Sequence, residues 1–157
     1  MQIRRSIAGD HDALIDIWLR AVRATHDFLS EDEIEKLHAM VLGGALAGLE
    51  IWVLCSDAAE PVGFMGLSGS KVEALFIAPE FHRRGGGRRL LEHARTLKGP
   101  LTVDVNEQNP AAVRFYEACG FVAEGRSELD SSGLPFPLLH MRQRTLPELD
   151  DETLLAL

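Results

Sequence analysis

The most constraining feature of the chain is a run of three glycines inside the sequence HRRGGGRRLL at residues 82–91. Glycine has no Cβ, so the backbone can turn tightly here and present several N–H groups to one anion. Residues 74–79, ALFIAP, form an apolar run that ends in proline, which is typical of a buried strand that stops before a turn. Leu90, Leu91 and Ala94 recur at helical spacing after the glycines, so the positive end of a helix dipole would point at the same anion. The pattern indicates a phosphate-binding turn between a strand and a helix.

Two better-known phosphate loops do not fit these residues. A P-loop ends in Gly-Lys-Ser/Thr, whereas Gly87 is followed by Arg88 and Arg89, which supply no hydroxyl for magnesium. The dinucleotide-binding fingerprint requires a third glycine where this chain has Leu90. A basic surface turn before an ordinary helix is the alternative for the glycine triplet alone, so the surrounding sequence decides between the two interpretations.

The surrounding sequence adds a second motif. Residues 101–105 predict another strand, and residues 106–121 read NEQNPAAVRFYEACGF. Together with the glycine turn, this segment resembles the GNAT N-acetyltransferase superfamily, and the pairs that carry the resemblance are Asn109-Pro110, Phe115-Tyr116 and Gly120-Phe121. Residues 24–30 and 133–141 further resemble the YjaB-type bacterial branch of that family, and the resemblance extends to about Arg142.

The resemblance implies an α/β fold with a mixed, mostly antiparallel central sheet flanked by helices. In this family a Gln/Arg-x-x-Gly-x-Gly/Ala loop binds the pyrophosphate of acetyl-CoA, and His82 here replaces the Gln or Arg. Backbone N–H groups of a splayed fourth strand stabilise the oxyanion in the family, and that strand maps onto Leu75, Phe76 and Ile77. The coenzyme-binding residues implied in total are Leu75, Phe76, Ile77, His82, Arg83, Arg84, Gly85, Gly86, Gly87, Arg88 and Asn109.

Tyr116 matches the general acid of the family, which lies beside the coenzyme sulfur. Full proton transfer from a phenol of pKa ~10 to a thiolate whose acid has a pKa of ~8.5 is uphill by about 2 kcal/mol, so hydrogen bonding is the larger part of such a role. The alternative is that Tyr116 is one more core residue of its helix. Asn109 can cap the same helix and contact the coenzyme as well.

The residue that accepts the proton of the attacking amine stays open at this point. An amine with a pKa of ~10.4 must lose a proton before it can attack a thioester, so a base is needed. His26, Asp27, Glu73 and water are the candidates, whereas His140 in PLLHM is better explained as a strand residue.

Composition agrees with one enzyme domain. The 157 residues are 46% hydrophobic, which suits a single core, and we expect a domain at residues 1–144 with an acidic tail at 145–157. The tail could be disordered, docked on the domain or used in a homodimer contact. A formal charge of −8 argues against a nucleic-acid-binding surface. Against this negative background, a local cationic patch is formed by Arg83, Arg84, Arg88 and Arg89.

Other classes of protein are excluded by what the sequence lacks. Cys55 and Cys119 have neither the spacing of a metal site nor that of a redox pair, so we expect no metal and reduced thiols. The first ten residues carry no signal-peptide pattern, and no apolar run is long enough to cross a bilayer. The sequence thus predicts a cytoplasmic protein that does not act at membranes.

The hydrophobic periodicity predicts the order of the secondary-structure elements. The first strand is expected at residues 2–7, followed by a helix that ends near His26 and a second helix that begins with a Ser30/Glu33 capping box and fades at Gly43-Gly44. A three-stranded antiparallel meander follows at residues 51–55, 62–68 and 71–78. The helix that starts at Asn109 should close at Gly120, and strands at residues 121–129 and 137–143 form a final pair.

The predicted function is transfer of acetyl from acetyl-CoA to a primary amine by direct attack in a ternary complex. The acceptor is a protein lysine, as the YjaB-type resemblance implies, or a small amine such as a polyamine. The acids Glu31, Asp32, Glu33 and Glu35 would favour a cationic acceptor if they border its groove, or they only complement a helix dipole. The alternative function is a non-catalytic acyl-CoA sensor on the same fold.

Overall fold

The computed structural model describes residues 1–144, so the tail predicted at residues 145–157 lies outside the described residues. Seven strands and four α-helices follow one another in the predicted order within this range. They are β1 Gln2–Arg5, α1 His11–Thr25, α2 Glu31–Met40, β2 Glu50–Cys55, β3 Pro61–Ser68, β4 Lys71–Ile77, α3 Gly86–Lys98, β5 Thr102–Asn106, α4 Pro110–Ala118, β6 Phe121–Ser127 and β7 Leu138–Gln143.

The seven strands form one sheet in the order β1-β2-β3-β4-β5-β7-β6. Every neighbouring pair is antiparallel except β4 and β5, which are parallel. The predicted α/β fold with a mixed, mostly antiparallel sheet is therefore confirmed, and so are the meander β2-β3-β4 and the final pair β6-β7. The sequence did not indicate that β7 lies between β5 and β6.

The parallel pair β4-β5 is short. Lys71 pairs with Thr102 and Val72 with Val103, and the register ends there. β4 continues to Ile77 and β5 to Asn106, so the two strands separate beyond Val72 and Val103 and leave a gap in the middle of the sheet. This strand gap positions the candidate site.

Helices cover the two faces of the sheet and build two hydrophobic cores. On one face Leu90, Leu91 and Ala94 of α3 pack with Tyr116 of α4 and with Val72, Val103 and Val105 of the sheet. On the other face Ile17 and Trp18 of α1 and Ile34 of α2 pack with Val53, Phe64 and Ala74. Successive strand residues point to opposite faces, except at a bulge at Glu73 of β4, across which Val72 and Ala74 belong to different cores.

Two predicted strand ends moved by two residues because side chains bind the backbone there, and the second helix ends close to the predicted glycines. β1 ends at Arg5 rather than at residue 7, since the N–H of Ile7 donates to the Asp10 carboxylate (2.8 Å) and the chain turns. β6 ends at Ser127 rather than at residue 129, because Asp130 organises a turn by accepting from the N–H of Ser132 (2.9 Å). After α2 a π-helical turn at Val41–Ala45 ends the helical segment, with Gly44 at φ 106°.

The capping box of α2 is confirmed. The Ser30 hydroxyl accepts from the N–H of Glu33 (3.2 Å), and the Glu33 carboxylate accepts from the N–H of Ser30 (3.0 Å). Asn109 caps α4 in the predicted way, since its side chain accepts from the N–H of Ala112 (3.2 Å).

Candidate active site

A cleft of about 810 Å³ runs through the strand gap and is lined from both faces of the sheet. Ala21 of α1 and His26, which follows α1, border it on one face, while the glycine turn and α4 border it on the other. The structure places eleven of the twelve predicted site residues around this cleft: Leu75, Phe76, Ile77, His82, Arg83, Gly85, Gly86, Gly87, Arg88, Asn109 and Tyr116. The twelfth, Arg84, does not line it.

The glycine turn has the backbone geometry of an anion site. Gly85 is the N-cap of α3 in a left-handed conformation, with φ 79°, and Arg83 also has a positive φ of 63°. The first bond of α3 is donated by the N–H of Arg89 to the Gly85 carbonyl (3.0 Å), so the N–H groups of residues 86–88 have no partner inside the helix. These groups and the positive end of the helix dipole suit a phosphate.

The three glycines have different physical roles. Gly85 needs its positive φ, although a Cβ there would meet nothing within 4 Å. A Cβ on Gly86 would lie 2.6 Å from the Leu54 side chain, and one on Gly87 would lie 2.9 Å from the Phe115 ring. Gly86 therefore allows close packing on the core, and it can serve an anion only through its backbone N–H.

His82, which departs from the family pattern, ties the turn to β4. Its Nε2 lies 2.8 Å from the carbonyl oxygen of Ile77. A carbonyl can only accept, so Nε2 carries the hydrogen and donates it. The side chain thus fixes the start of the turn relative to the last residue of β4.

The arginines of the predicted cationic patch do not all lie at the cleft. Arg83 and Arg88 line the cleft, and an Arg88 guanidinium nitrogen donates to the Ala118 carbonyl (3.4 Å). The guanidinium carbon of Arg84 lies 5.1 Å from the centre of the Phe81 ring, which is a cation–π contact, and Arg84 does not line the cleft. Arg84 is thus the one predicted coenzyme residue that the geometry does not bring to the site.

Of the three β4 residues predicted to supply N–H groups, the geometry supports two. The N–H of Ala78 donates to the Val62 carbonyl of β3 (2.8 Å), and backbone groups along an antiparallel strand alternate in direction. The N–H of Phe76 therefore also points to β3, whereas those of Leu75 and Ile77 point into the strand gap. Phe76 instead lines the cleft with its ring, which packs against Trp18 at 6.5 Å between centres.

Tyr116 is buried at the wall of the cleft, with 8% of its surface exposed. The rings of Phe115 and Phe121 pack edge-on against it, each 5.2 Å away between centres. Within residues 1–144 no hydrogen bond is made by its hydroxyl. Burial raises the pKa of Tyr116 well above its usual value, so the phenol stays protonated and can act as a donor.

The candidate bases occupy different positions. His26 and Glu73 line the cleft, whereas Asp27 does not. The Nδ1 atom of His26 lies 2.8 Å from the Thr25 hydroxyl, and burial lowers the pKa of the ring, so His26 is neutral near pH 7.

Sequence reasoning missed Asp104 on β5, which also lines the cleft. Its Oδ1 lies 2.6 Å from Nδ1 of His140, and its Oδ2 lies 2.9 Å from Nζ of Lys71. Burial by itself would raise the pKa of Asp104, but the hydrogen bonds from His140 and Lys71 outweigh it and hold the pKa below the usual range. The only local signal was a charged residue between two valines, which does not reveal cross-strand partners.

The acidic residues at the start of α2 are not part of the cleft. Glu31 pairs with Arg23 (3.3 Å) and Glu33 closes the capping box. Glu31, Asp32, Glu33 and Glu35 are all absent from the cleft lining, so they act as a helix start. The carboxylates that do border the cleft are Glu73 and Asp104.

Two further observations concern cofactors and membranes. Within the described part of the chain, no group of three His, Cys, Asp or Glu side chains is arranged to hold a metal ion, and both cysteines are free thiols. Among the helices of residues 1–144, none combines the length and the apolar character needed to span a bilayer.

Comparisons with known proteins agree with this geometry. The family model described as acetyltransferase (GNAT) domain matches residues 47–123. The peptidyl-lysine N-acetyltransferase YjaB of Salmonella typhimurium is 48% identical over 141 residues, which are 90% of this chain and 97% of the relative. The solution structure of apo-form YjaB from Escherichia coli is 45% identical and has a TM-score of 0.83, covering 90% of this chain and 95% of that one.

A more distant solved structure shows the same fold. The PaiA N-acetyltransferase of Thermoplasma acidophilum, solved in complex with coenzyme A, is 21% identical and has a TM-score of 0.69, with 92% of this chain and 98% of that chain covered. The identity and coverage of the YjaB relatives, together with the family match, settle the classification. The chain belongs to the GNAT family and is an N-acetyltransferase.

Proposed function

We propose that the protein transfers the acetyl group of acetyl-CoA to the ε-amino group of lysine residues in proteins. The two YjaB relatives, at 48% and 45% identity, are peptidyl-lysine N-acetyltransferases, and the solved PaiA structure holds coenzyme A on the same fold. These relatives support a lysine acceptor more than a polyamine.

The residues around the glycine turn fit the pyrophosphate of the coenzyme. The unpaired N–H groups of residues 86–88 and the dipole of α3 point toward one place, and Arg83 and Arg88 add positive charge there. Asn109 lines the cleft and uses its carbonyl oxygen to cap α4, so the cap does not occupy its amide N–H₂ group. We assign coenzyme binding to these groups.

The observation that carries the catalytic assignment is the Tyr116 side chain, which is 8% exposed, makes no hydrogen bond through its hydroxyl in the described residues and lines the same gap as the N–H groups of Leu75 and Ile77. Because no protein group uses this hydroxyl, it is available as a hydrogen-bond donor to a substrate in the cleft. We propose that the Tyr116 hydroxyl donates to the sulfur of the leaving thiolate. Because burial raises its pKa further, full proton transfer is less favourable than for an ordinary phenol, and the hydroxyl acts by hydrogen bonding.

The N–H groups of Leu75 and Ile77 would stabilise the negative charge that develops on the thioester oxygen. The acceptor amine attacks the thioester carbon directly, and the electron pair of the C=O bond moves onto the oxygen as the carbon–nitrogen bond forms. The carbonyl then re-forms as the carbon–sulfur bond breaks and the thiolate leaves. His26, neutral because of its burial, and Glu73 are the residues at the cleft that can take the amine proton, directly or through water.

The test is thiol release from acetyl-CoA by the purified protein with lysine peptides, spermidine and an uncharged arylamine. The proposal requires release with the lysine peptides and an Nε-acetyl product by mass spectrometry. Spermidine as the better acceptor would replace the lysine assignment with a polyamine. Calorimetric acetyl-CoA binding without thiol release from any amine would instead make the protein a non-catalytic acyl-CoA sensor.

A further inference from the structure

Asp104 occupies a special place in the sheet. Val72 and Val103 are the last paired residues of β4 and β5, so Glu73 and Asp104 are the first residues on either side of the strand gap. Val103 and Val105 point to the core of α3 and α4, where Tyr116 lies. Because strand side chains alternate, Asp104 points to the opposite face, on which α1 packs. The carboxylate therefore borders the cleft on the face away from the glycine turn.

The orientation of Asp104 is fixed by side chains of three other strands. The Nδ1 atom of His140 donates to Oδ1 (2.6 Å), since a carboxylate can only accept. The Nε2 atom of His140 in turn lies 2.6 Å from the Ser127 hydroxyl of β6, a group that can donate or accept.

The same wall already binds an alkylammonium group. Nζ of Lys71 lies 2.9 Å from Asp104 and 3.7 Å from Glu73. The three charges leave one negative charge in excess at the cleft, and each carboxylate oxygen has a second lone pair. A second, independent feature of the cleft is the Tyr116 side chain, which is 8% exposed and whose hydroxyl makes no hydrogen bond in the described residues, so the cleft offers a ligand an unused polar group.

We propose that Asp104 is the residue that selects an ammonium-bearing acceptor, and that His140 acts through Asp104 as a positioning residue. This inference rests on the proposed function and deepens it, because it names the part of the site that recognises the charged side chain. Asp104 binds the ammonium rather than deprotonating it, since an ordinary aspartate and an ordinary lysine differ by about six pKa units. The proton is left to another group at the cleft.

The test compares steady-state kinetics of variants with an amide-blocked lysine and with aniline as an uncharged acceptor. Asp104→Asn keeps the shape and removes the charge, so KM for the lysine substrate should rise about tenfold with little change in KM for acetyl-CoA or for aniline. Lys71→Met removes the internal competitor cation, so KM for the lysine substrate should fall about threefold or more. Glu124→Gln is the matched control, because Glu124 is an exposed carboxylate that pairs with Arg142 and does not line the cleft.

The positioning role of His140 is tested by two substitutions. His140→Leu removes the donor to Asp104 and should raise KM for the lysine substrate while leaving kcat for aniline unchanged. His140→Asn keeps an N–H near the position of Nδ1 and should restore most of the lysine affinity. Circular dichroism and thermal midpoints check that each variant is folded.

The outcomes separate the two proposals. Absence of thiol release by the wild type with every amine contradicts the proposed function itself. The present inference alone is overturned if the wild type releases thiol but KM for the lysine substrate in Asp104→Asn and in Lys71→Met stays within twofold of the wild-type KM. Equal losses for His140→Leu and His140→Asn would remove the positioning role and leave only a packing role for the ring.

Discussion

Tyr116 and Asp104 lie on opposite faces of the strand gap, and their surroundings move their pKa values in opposite directions. Burial raises the pKa of Tyr116, whereas hydrogen bonds from His140 and Lys71 outweigh burial and lower that of Asp104. The phenol therefore stays neutral and the carboxylate stays charged throughout the neutral pH range. A change of rate between pH 5 and 8 must then come from other groups. His26 lines the cleft, and burial lowers the pKa of its ring, so it is a candidate for such a change.

At the same residue scale, Tyr116→Phe removes the hydroxyl and keeps the ring. If the hydroxyl assists the leaving thiolate, kcat should fall about tenfold or more, which corresponds to at least ~1.4 kcal/mol, with acetyl-CoA affinity unchanged. Single-turnover kinetics and calorimetry check the two halves of this expectation. If the variant keeps the full kcat while chemistry is shown to be rate-limiting, Tyr116 has a packing role in the core and no catalytic role.

Gly85 offers a test of the glycine turn that does not disturb the core. Its φ of 79° is strained for a β-branched side chain, while a Cβ there meets no neighbour. Gly85→Val should therefore weaken acetyl-CoA binding about fivefold or more by shifting the turn, at roughly 1–2 kcal/mol of strain. Gly85→Asn is the control, because asparagine tolerates this conformation and should bind nearly as the wild type does. Equal affinities of the two variants would show that the backbone conformation of the turn does not matter for binding.

At the scale of elements, most of the fold was predictable because helix and strand ends carry local signals. The start of α2 was predicted from Ser30 with Glu33, and the start of α4 from Asn109 with Pro110. Gly120 marked the end of α4 within two residues. The strand gap and the insertion of β7 between β5 and β6 had no such signal, since both depend on pairing between distant segments. Asp104 was missed for the same reason, because its partners His140 and Lys71 are 36 and 33 positions away in the chain.

The clamp between β1 and the start of α1 gives a pH-dependent prediction. Asp10, with 7% of its side chain exposed, accepts two bonds from Arg4 (2.8 and 2.9 Å), which lower its pKa despite burial. Because the folded pKa is depressed, the stability from this pair is present above the unfolded value of ~3.9 and is lost as the pH falls through the folded value. Asp10→Asn should cost about 1–3 kcal/mol at pH 7 by urea unfolding.

The difference between Asp10→Asn and the wild type should shrink when the same titration is repeated well below pH ~3.9, where the wild-type carboxyl becomes protonated. Asp12→Asn, an exposed neighbour, serves as the control and should change little at either pH. A pH-independent loss in Asp10→Asn would mean that packing rather than charge accounts for it.

At the scale of the whole molecule, the sheet consists of two halves, β1-β2-β3-β4 and β5-β7-β6, which two residue pairs join. Backbone groups of Leu75 and Ile77 that point into the gap lack a strand partner there. We expect acetyl-CoA to slow amide hydrogen exchange at these two residues more than at Phe76, whose N–H is already bonded to β3. Uniform protection across all three would place the coenzyme elsewhere than in the gap.

The cleft is lined from both faces of the sheet, with the glycine turn and Tyr116 on one side and His26 and Asp104 on the other. We therefore expect the two substrates to enter the cleft from opposite faces of the sheet. A folded protein would present its lysine on the α1 face, while the nucleotide part of the coenzyme stays on the face of the glycine turn. The coenzyme can then exchange while a protein acceptor is still bound.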